Sequence, residues 1–196
     1  MRLPKHILPK YVLTPDKPFM FELPKNDEEE FFSFRWESIP PQGMFFHYES
    51  KAINWIPTSK QLDAFQISYH VRMKVGEIME PTSIKLDSKQ EYKALPVLES
   101  RDESMWIYVN DPPRFLTQPE DTEFVAGSTF KYEPIVQDRN KDAKLQFLLE
   151  TAPEGMFIEN GLITWVTDST HVEVYDVRLV VSDGFSRSAQ DFKLFA

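Results

Sequence analysis

Histidine, serine and acidic residues are the side chains in this sequence that could support hydrolysis or metal binding. The sequence has four histidines, all isolated from one another: His6, His47, His70 and His171. None stands in a His-Glu-x-x-His motif, and no Gly-x-Ser-x-Gly motif is present. Residues 168–171, DSTH, contain the residue types of a catalytic triad, but neighbours within one turn rarely point into one catalytic geometry. We therefore predict a polar turn at 168–171 and no enzymatic activity.

Acidic residues dominate the charge of the chain. Asp and Glu outnumber Lys and Arg by 31 to 22, which gives a net charge of −9. The basic surface that phosphate backbones require is absent from this pattern, so no nucleic acid is expected as a partner. The acidic run DEEE, residues 27–30, could be a cation site or a solvated loop, and its position between predicted strands favours the loop.

The composition is that of a folded protein without covalent cross-links. No cysteine is present, so neither disulfides nor thiolate-bound metal can stabilise the fold. Hydrophobic residues make up 41% of the chain, enough for buried cores. The first residues, MRLPKHILPKYVL, are interrupted by Pro4 and Pro9 and lack the continuous apolar run of a signal peptide or a membrane span. We expect no membrane insertion within this sequence, and we interpret it as a segment of a longer chain.

The hydrophobic pattern predicts strands rather than helices. Fifteen prolines separate short runs rich in Val, Ile, Phe, Tyr and Trp. In the run from Tyr175 to Val181, apolar residues alternate with charged ones, which is typical of a strand with one buried face. The run from Phe65 to Val71 alternates in the same way. We therefore predict an all-β protein.

Two segments about 110 residues apart share a pattern. PQGMFFHYESKAINWI spans residues 41–56, and PEGMFIENGLITWV spans residues 153–166. Each begins with Pro-x-Gly-Met-Phe and ends with Ile-x-Trp, which predicts a hairpin that places Trp55 or Trp165 in a core. The similarity continues into FMFELP and FKYEPI upstream, so we predict two copies of one unit. The proline-containing joint NDPPRF places the domains at 1–111 and 112–196, each with about seven strands.

The second copy resembles the immunoglobulin-like and dystroglycan-type cadherin-like repeats of surface and secreted proteins. The resemblance rests on four stretches in the order of that family: VNDPP from Val109, PEGM from Pro153, GLITW from Gly161 and VSDG from Val181. The first copy keeps only PQGM and INWIP clearly. The resemblance implies two tandem immunoglobulin/cadherin-like antiparallel β-sandwich domains and an extracytoplasmic location, at the cell surface, in the periplasm or secreted.

The resemblance also implies candidates for a calcium site near the joint. They are Asp111, Asp138, Asn140, Asp142 and Asp183. Calcium needs six to eight oxygen ligands. Arg139 and Lys141 place positive charge inside the candidate loop, so a solvated polar turn is the alternative, and we expect no cofactor to be required for folding.

The first copy contains about thirty residues, near 76–104, that the second copy lacks. Long connections on a rigid sandwich often carry binding residues. The segment is rich in apolar residues, so it could form an extended hairpin that faces a partner, or two long strands that pack on their own domain. Together with one nearby tryptophan, its residues form the predicted partner-binding set: Ile78, Met79, Ile84, Leu86, Tyr92, Leu95 and Trp106.

The function predicted from the sequence is non-enzymatic. The chain is expected to be a protein-interaction, adhesion or spacer segment of a larger surface, periplasmic or secreted protein, with a protein or a surface polymer as partner. Aromatic residues make up 14% of the chain, so a carbohydrate-binding module is an alternative, with Trp36, Phe46, Tyr48 and Trp106 as stacking candidates. A cytosolic scaffold is a second alternative, because the chain lacks cysteine.

Overall fold

The computed structural model shows a chain built of strands. It describes residues 7–23, 30–81, 92–119, 122–123, 125–171 and 173–195. These residues form sixteen strands and no helix, which confirms the all-β prediction. Ile84, Leu86 and the acidic residues 27–29 lie outside the described residues. The chain divides into two compact units, Met1–Val109 and Asn110–Ala196, whereas the sequence pattern placed the boundary after Asp111.

The described part of the first unit is a sandwich of two sheets with seven strands. One sheet has the order β1-β7-β6-β3, and the other has the order β2-β5-β4. The strands are β1 (Tyr11–Leu13), β2 (Phe19–Glu22), β3 (Glu30–Trp36), β4 (Phe45–His47), β5 (Ala52–Trp55), β6 (Asp63–Pro81) and β7 (Tyr92–Val109).

The second unit repeats this arrangement. Its sheets have the orders β12-β15-β16-β9 and β10-β14-β13, and β8 pairs with β11. The strands are β8 (Arg114–Phe115), β9 (Thr122–Glu123), β10 (Thr129–Tyr132), β11 (Val136–Gln137), β12 (Gln146–Thr151), β13 (Phe157–Glu159), β14 (Leu162–Val166), β15 (Val174–Ser182) and β16 (Arg187–Phe195).

Among the described residues, strand pairing is antiparallel except at one place in each unit. The short strand β1 runs parallel to β7, and β9 runs parallel to β16. In each unit most of the chain lies between the short early strand and the last strand that it pairs with. A tight hairpin would force the two strands to be antiparallel, whereas this long connection permits parallel pairing.

The repeated tryptophans lie at the centre of the two cores, as predicted. Trp55 is 1% exposed and Trp165 is 0% exposed. Phe19 pairs with Trp55 across β2 and β5, and Phe130 pairs with Trp165 across β10 and β14, so the two copies share one register. Alternating side chains of the neighbouring sheet, among them Ile67 in the first unit, close each core from the other side.

The Pro-x-Gly-Met motif forms a tight turn that the tryptophan holds in place. The N–H of Met44 donates to the carbonyl of Pro41 at 3.0 Å, and Gly43 has a φ of 82°, as a type II turn requires. The indole N–H of Trp55 donates to the carbonyl of Gln42 at 3.2 Å. In the second unit the Trp165 indole donates to the carbonyl of Glu154 at 3.0 Å in the same way. The two halves of the repeated motif are therefore one hydrogen-bonded unit.

Strands β6 and β7 extend well into the segment near 76–104 that the second copy lacks. They pair from Asp63↔Val109 to Pro81↔Tyr92, with a register shift between Lys74 and Gly76. The sequence left open whether this segment forms two long strands, because the apolar alternation of β6 changes phase at that shift. An extra residue on one strand moves the following side chains to the opposite face, which conceals the period of two.

Candidate functional site

The far end of β6 and β7 forms a two-stranded ribbon, which we call the arm and define as residues 75–81 and 92–97. Strand β3 follows β6 only as far as the pair Glu30↔Lys74. Beyond that pair, the described residues show β6 and β7 bonded to each other alone. The arm therefore has two solvent-facing sides, whereas the rest of the sheet packs one side on the core.

Four of the seven predicted partner-binding residues lie in the arm. Ile78 is 51% exposed, Met79 is 61% exposed and Tyr92 is 56% exposed. Leu95 is half-buried and pairs with Ile78. Alternation along the strands puts Ile78 and Leu95 on one side of the ribbon and Met79 and Tyr92 on the other. Both sides of the arm are therefore apolar in part.

Trp106 does not join this group. It pairs with Gln66 near the base of β7 and is half-buried. It lies nine positions along the extended strand from Val97, a distance of roughly 30 Å. The structure thus separates Trp106 from the arm, although the sequence brought them into one predicted set.

A long backbone edge of β7 is open in the described part of the chain. Strand β1 pairs with that edge at Ile107–Val109, and the N–H of Lys10 donates to the carbonyl of Trp106. From Tyr92 to Met105, no described strand bonds to it. Pro96 lacks an N–H, and charged residues such as Lys93 and Glu99 lie along the strand, so non-specific pairing is discouraged.

The predicted calcium candidates fall in a polar network at the start of the second unit. Asp111 is 5% exposed. Its carboxylate accepts hydrogen bonds from Arg114 at 3.1 Å and from Arg139 at 3.4 Å. Its backbone N–H donates to the side chain of Asn140, which is 3% exposed. Arg139 is thus a partner of the candidate carboxylate, which the sequence could not show.

Asp183 is the second buried carboxylate of this network. Its Oδ1 accepts from the backbone N–H groups of Phe185 at 2.7 Å and Ser186 at 2.6 Å. Its Oδ2 accepts from the side-chain amide of Asn110 at 2.8 Å and from the Ser186 hydroxyl at 2.9 Å. Burial acts to raise the pKa of Asp183, but the hydrogen bonds from Ser186, Asn110 and Phe185 outweigh it and hold the pKa below its ordinary value.

The remaining candidates contribute less to this network. Asp138 is half-buried and accepts from the N–H of Asn140 at 2.8 Å, whereas Asp142 is exposed. The amide oxygen of Asn110 is buried with no hydrogen-bond partner among the described residues. The carboxylates of Asp111 and Asp183 thus accept hydrogen bonds from guanidinium, N–H and hydroxyl donors of the chain itself.

The DSTH segment forms a turn built from its own side chains. Oδ1 of Asp168 accepts from the backbone N–H of Thr170 at 2.8 Å and contacts Nδ1 of His171 at 2.9 Å. The Thr170 hydroxyl also donates to this carboxylate, and these bonds, chiefly those from Thr170, lower the pKa of Asp168. The His171 ring lies edge-on to Trp165 at 5.1 Å. These contacts fit the predicted polar turn.

Two of the four stacking candidates belong to the first core. Trp36 and Phe46 pack against its buried residues. Tyr48 is 58% exposed, but its ring is inclined at 85° to that of Phe46, and its hydroxyl donates to the carbonyl of Phe34. These rings therefore do not form the flat exposed platform on which a sugar ring stacks.

Each unit is an immunoglobulin-like β-sandwich. In the first unit the second, fifth and fourth strands form one sheet, and the third, sixth and seventh form the core of the other, which is the strand arrangement of that fold. The second unit has the same arrangement. The described part of the chain contains no helix long and apolar enough to span a bilayer.

Comparisons with known proteins give structural likenesses at low identity. No family model and no curated protein matches the sequence. The titin I-band fragment I67-I69 is 13% identical, with a TM-score of 0.47 over 96% of this chain and 62% of that one. Extracellular domains 3-5 of Drosophila OTK are 12% identical, with a TM-score of 0.37 over 100% of this chain and 99% of theirs. An endo-fucoidan hydrolase of glycoside hydrolase family 107 is 8% identical, with a TM-score of 0.36, and this chain spans 33% of its length.

Proposed function

We propose that this chain is a non-enzymatic protein-interaction segment of a larger extracytoplasmic protein and that the arm is its partner-binding element. The observation that carries the proposal is the arm itself. It is a ribbon of two strands with exposed apolar side chains on both sides and an open backbone edge on β7. The motifs that resemble dystroglycan-type cadherin-like repeats support the extracytoplasmic location.

The arm has the properties of a surface that a partner covers. An isolated two-stranded ribbon is marginally stable in water, and a third strand or a packed face stabilises it. Exposed Met79 and Tyr92 offer a flexible and an aromatic side chain, types that are enriched at the centres of interfaces. A partner strand that adds to the edge of β7 would satisfy the open N–H and carbonyl groups and cover one of the apolar sides. The proposed partner is therefore a protein with an extended segment.

Shortening the arm is expected to remove partner binding and leave both units folded. The change replaces residues 75–97 with Asn-Gly, so that a two-residue turn joins the bonded pair Lys74↔Leu98. A replacement that reached residue 103 would also delete the strand segment that pairs with Tyr69 and Met73, which are both core residues. Circular dichroism and thermal melts check folding. Photo-crosslinking from position 79 in the host cell identifies the partner. The affinity of that partner is then measured by titration against the unaltered chain and the shortened chain.

Point variants make the same test without shortening the chain. Met79→Lys and Tyr92→Lys are each expected to weaken the titrated affinity by about tenfold or more, as expected for central interface residues. Val166→Lys is the matched control, because Val166 is 66% exposed in the other unit. Full affinity in the folded shortened chain would contradict the proposal and would place the partner site elsewhere.

We further propose that calcium is not required for folding, because the buried carboxylates already have donors from the chain itself. Thermal melts in calcium and in chelator are expected to coincide. The control is the double variant Asp138→Ala and Asp183→Ala, measured under the same two conditions. A rise of several degrees with calcium that the double variant loses would contradict this prediction, because ligand binding to the native state raises the melting temperature.

A further inference from the structure

A row of polar side chains crosses the outer face of the larger sheet of the first unit. Arg35 of β3 pairs with His70 of β6, and His70 pairs with Asp102 of β7. Neighbouring residues on β3 and β6, Phe34 and Tyr69, face the core on the other side of the sheet. The strand register therefore places His70 between Arg35 of β3 and Asp102 of β7.

A bulge at the end of β3 adds a third acidic or imidazole group to this row. The N–H groups of Glu37 and Ser38 both donate to the carbonyl of Ser68, at 2.9 and 3.2 Å. The N–H of Ser68 donates in return to the Ser38 hydroxyl at 2.9 Å. Two residues opposite one is the signature of a β-bulge, which re-aims side chains at sheet edges. Glu37 is thereby held beside His70.

The three side chains present their ligand atoms to one point. One nitrogen of His70 and one carboxylate oxygen each from Glu37 and Asp102 all lie within 4.8 Å of one another. Nδ1 of His70 is 2.7 Å from Oδ1 of Asp102. The His70 side chain is 18% exposed, whereas that of Asp102 is 80% exposed, so a mostly buried imidazole is paired with an exposed carboxylate.

We propose that Glu37, His70 and Asp102 bind a divalent transition-metal ion of the zinc class. One nitrogen and two carboxylate oxygens suit Zn²⁺, and three protein ligands would leave a further position open to water. The ion would take the place of the proton between His70 and Asp102. The imidazole disfavours calcium, which takes oxygen ligands. The three ligand atoms lie within 4.8 Å of one another, so small side-chain movements would bring them to zinc bond lengths of about 2.0–2.2 Å.

Arg35 opposes binding at this site and provides a way to test it. Its Nε lies 2.6 Å from Oε1 of Glu37, so the guanidinium competes with a metal ion for that carboxylate. Arg35→Gln removes the competing cation and leaves the three ligands in place. A merely structural role for the row would not produce tighter metal binding in this variant.

The test is calorimetric titration of the full chain with ZnCl₂ in a non-chelating buffer. We expect one zinc ion per chain, a raised melting temperature with zinc and no shift with CaCl₂. We expect zinc affinity to fall by more than about tenfold in each of three variants, Glu37→Gln, His70→Gln and Asp102→Asn. Even the loss of a residue that only supports a metal ligand lowers metal affinity by about that factor. Arg35→Gln is expected to tighten zinc binding.

His171→Gln is the matched control. His171 and Asp168 make a similar contact at 2.9 Å, but among the described residues no third ligand group lies beside them. Zinc affinity that survives His70→Gln, or that is lost in His171→Gln, would overturn the proposal. If a ligand variant fails to fold, NMR line broadening of the unaltered chain by Co²⁺ decides. Broadening centred on β3, β6 and β7 around His70 supports the site, and broadening centred elsewhere overturns it.

Discussion

Replacing Trp165 with alanine is expected to lower the free energy of unfolding of the second unit by about 3–5 kcal/mol, the cost of removing a large buried aromatic side chain. Trp165 is 0% exposed and packs edge-on to Tyr175 at a centroid distance of 4.8 Å. The change also leaves the carbonyl of Glu154 without its indole donor. This loss is a large fraction of the total stability of a small domain, so the second unit is expected to unfold near room temperature or just above it.

Urea unfolding of the full chain, followed by hydrogen exchange of peptides from residues 110–196, measures this effect. The neighbouring substitution Val166→Ala is the control, because Val166 is 66% exposed and its removal should change the unfolding free energy by less than about 0.5 kcal/mol. Trp165→Phe keeps most of the apolar volume but loses the N–H, so it should fall between the two. Equal stability of Trp165→Ala and the unaltered chain would show that the turn and hairpin do not depend on the indole.

Asp183→Ala is expected to destabilise the second unit by about 2–4 kcal/mol, because buried donors that lose a charged acceptor carry a large desolvation cost. The carboxylate accepts four hydrogen bonds, two of them from backbone N–H groups in its own turn. Asn110, which is 4% exposed, loses its hydrogen bond to Asp183 and keeps the one to the Ser186 hydroxyl at 2.9 Å. The measurement is again urea unfolding at neutral pH.

The same carboxylate predicts a pH dependence of stability. Because the pKa of Asp183 is lower in the folded chain than its ordinary value, the stabilisation is present above the unfolded pKa, about 3.9. It is lost as the pH falls through the lower folded pKa. Asp183→Asn is expected to remove this acid-sensitive part of the stability while retaining the shape of the side chain.

Asp176→Asn is the control for both Asp183 variants. Asp176 lies in the same unit, its side chain is 70% exposed, and it forms a surface ion pair with Lys193 at 3.0 Å. Exposed pairs of this kind contribute about 0–1 kcal/mol. An unfolding free energy that responds equally to Asp176→Asn and Asp183→Ala would contradict the role assigned to the buried network.

The two hairpins were predictable because their signals are local. In the predicted hairpin of the second copy, Asn160 and Gly161 both adopt positive φ, 49° and 85°, which is the conformation that an Asn-Gly pair favours in a tight turn. Alternation identified the buried face of β15, where Val177, Leu179 and Val181 are all nearly inaccessible. Steric preferences and the period of two act between near neighbours in the chain, so they can be recognised without knowledge of distant partners.

The arm was predictable in content but not in extent. Its apolar residues were visible in the sequence, and their exposure at Ile78 and Met79 is consistent with the partner-facing alternative. The length of β6 was not visible, because the register shift after Lys74 changes the phase of the alternation. The separation of Trp106 from the arm was also not predictable, because it depends on how far the extended strand β7 runs between them.

The sequence by itself determined the strand class, the two-copy plan and the burial of Trp55 and Trp165, because hydrophobic period and turn chemistry are properties of short segments. Only the tertiary structure decided which polar groups meet. Asn110 and Asp183 are 73 residues apart, and His70 and Asp102 are 32 residues apart. Such encounters depend on strand order and register, and a shift of one residue turns a side chain to the opposite face of the sheet. No pattern within either segment contains that information, so the arginines that hold Asp111 and the cluster around His70 became visible only in the folded chain.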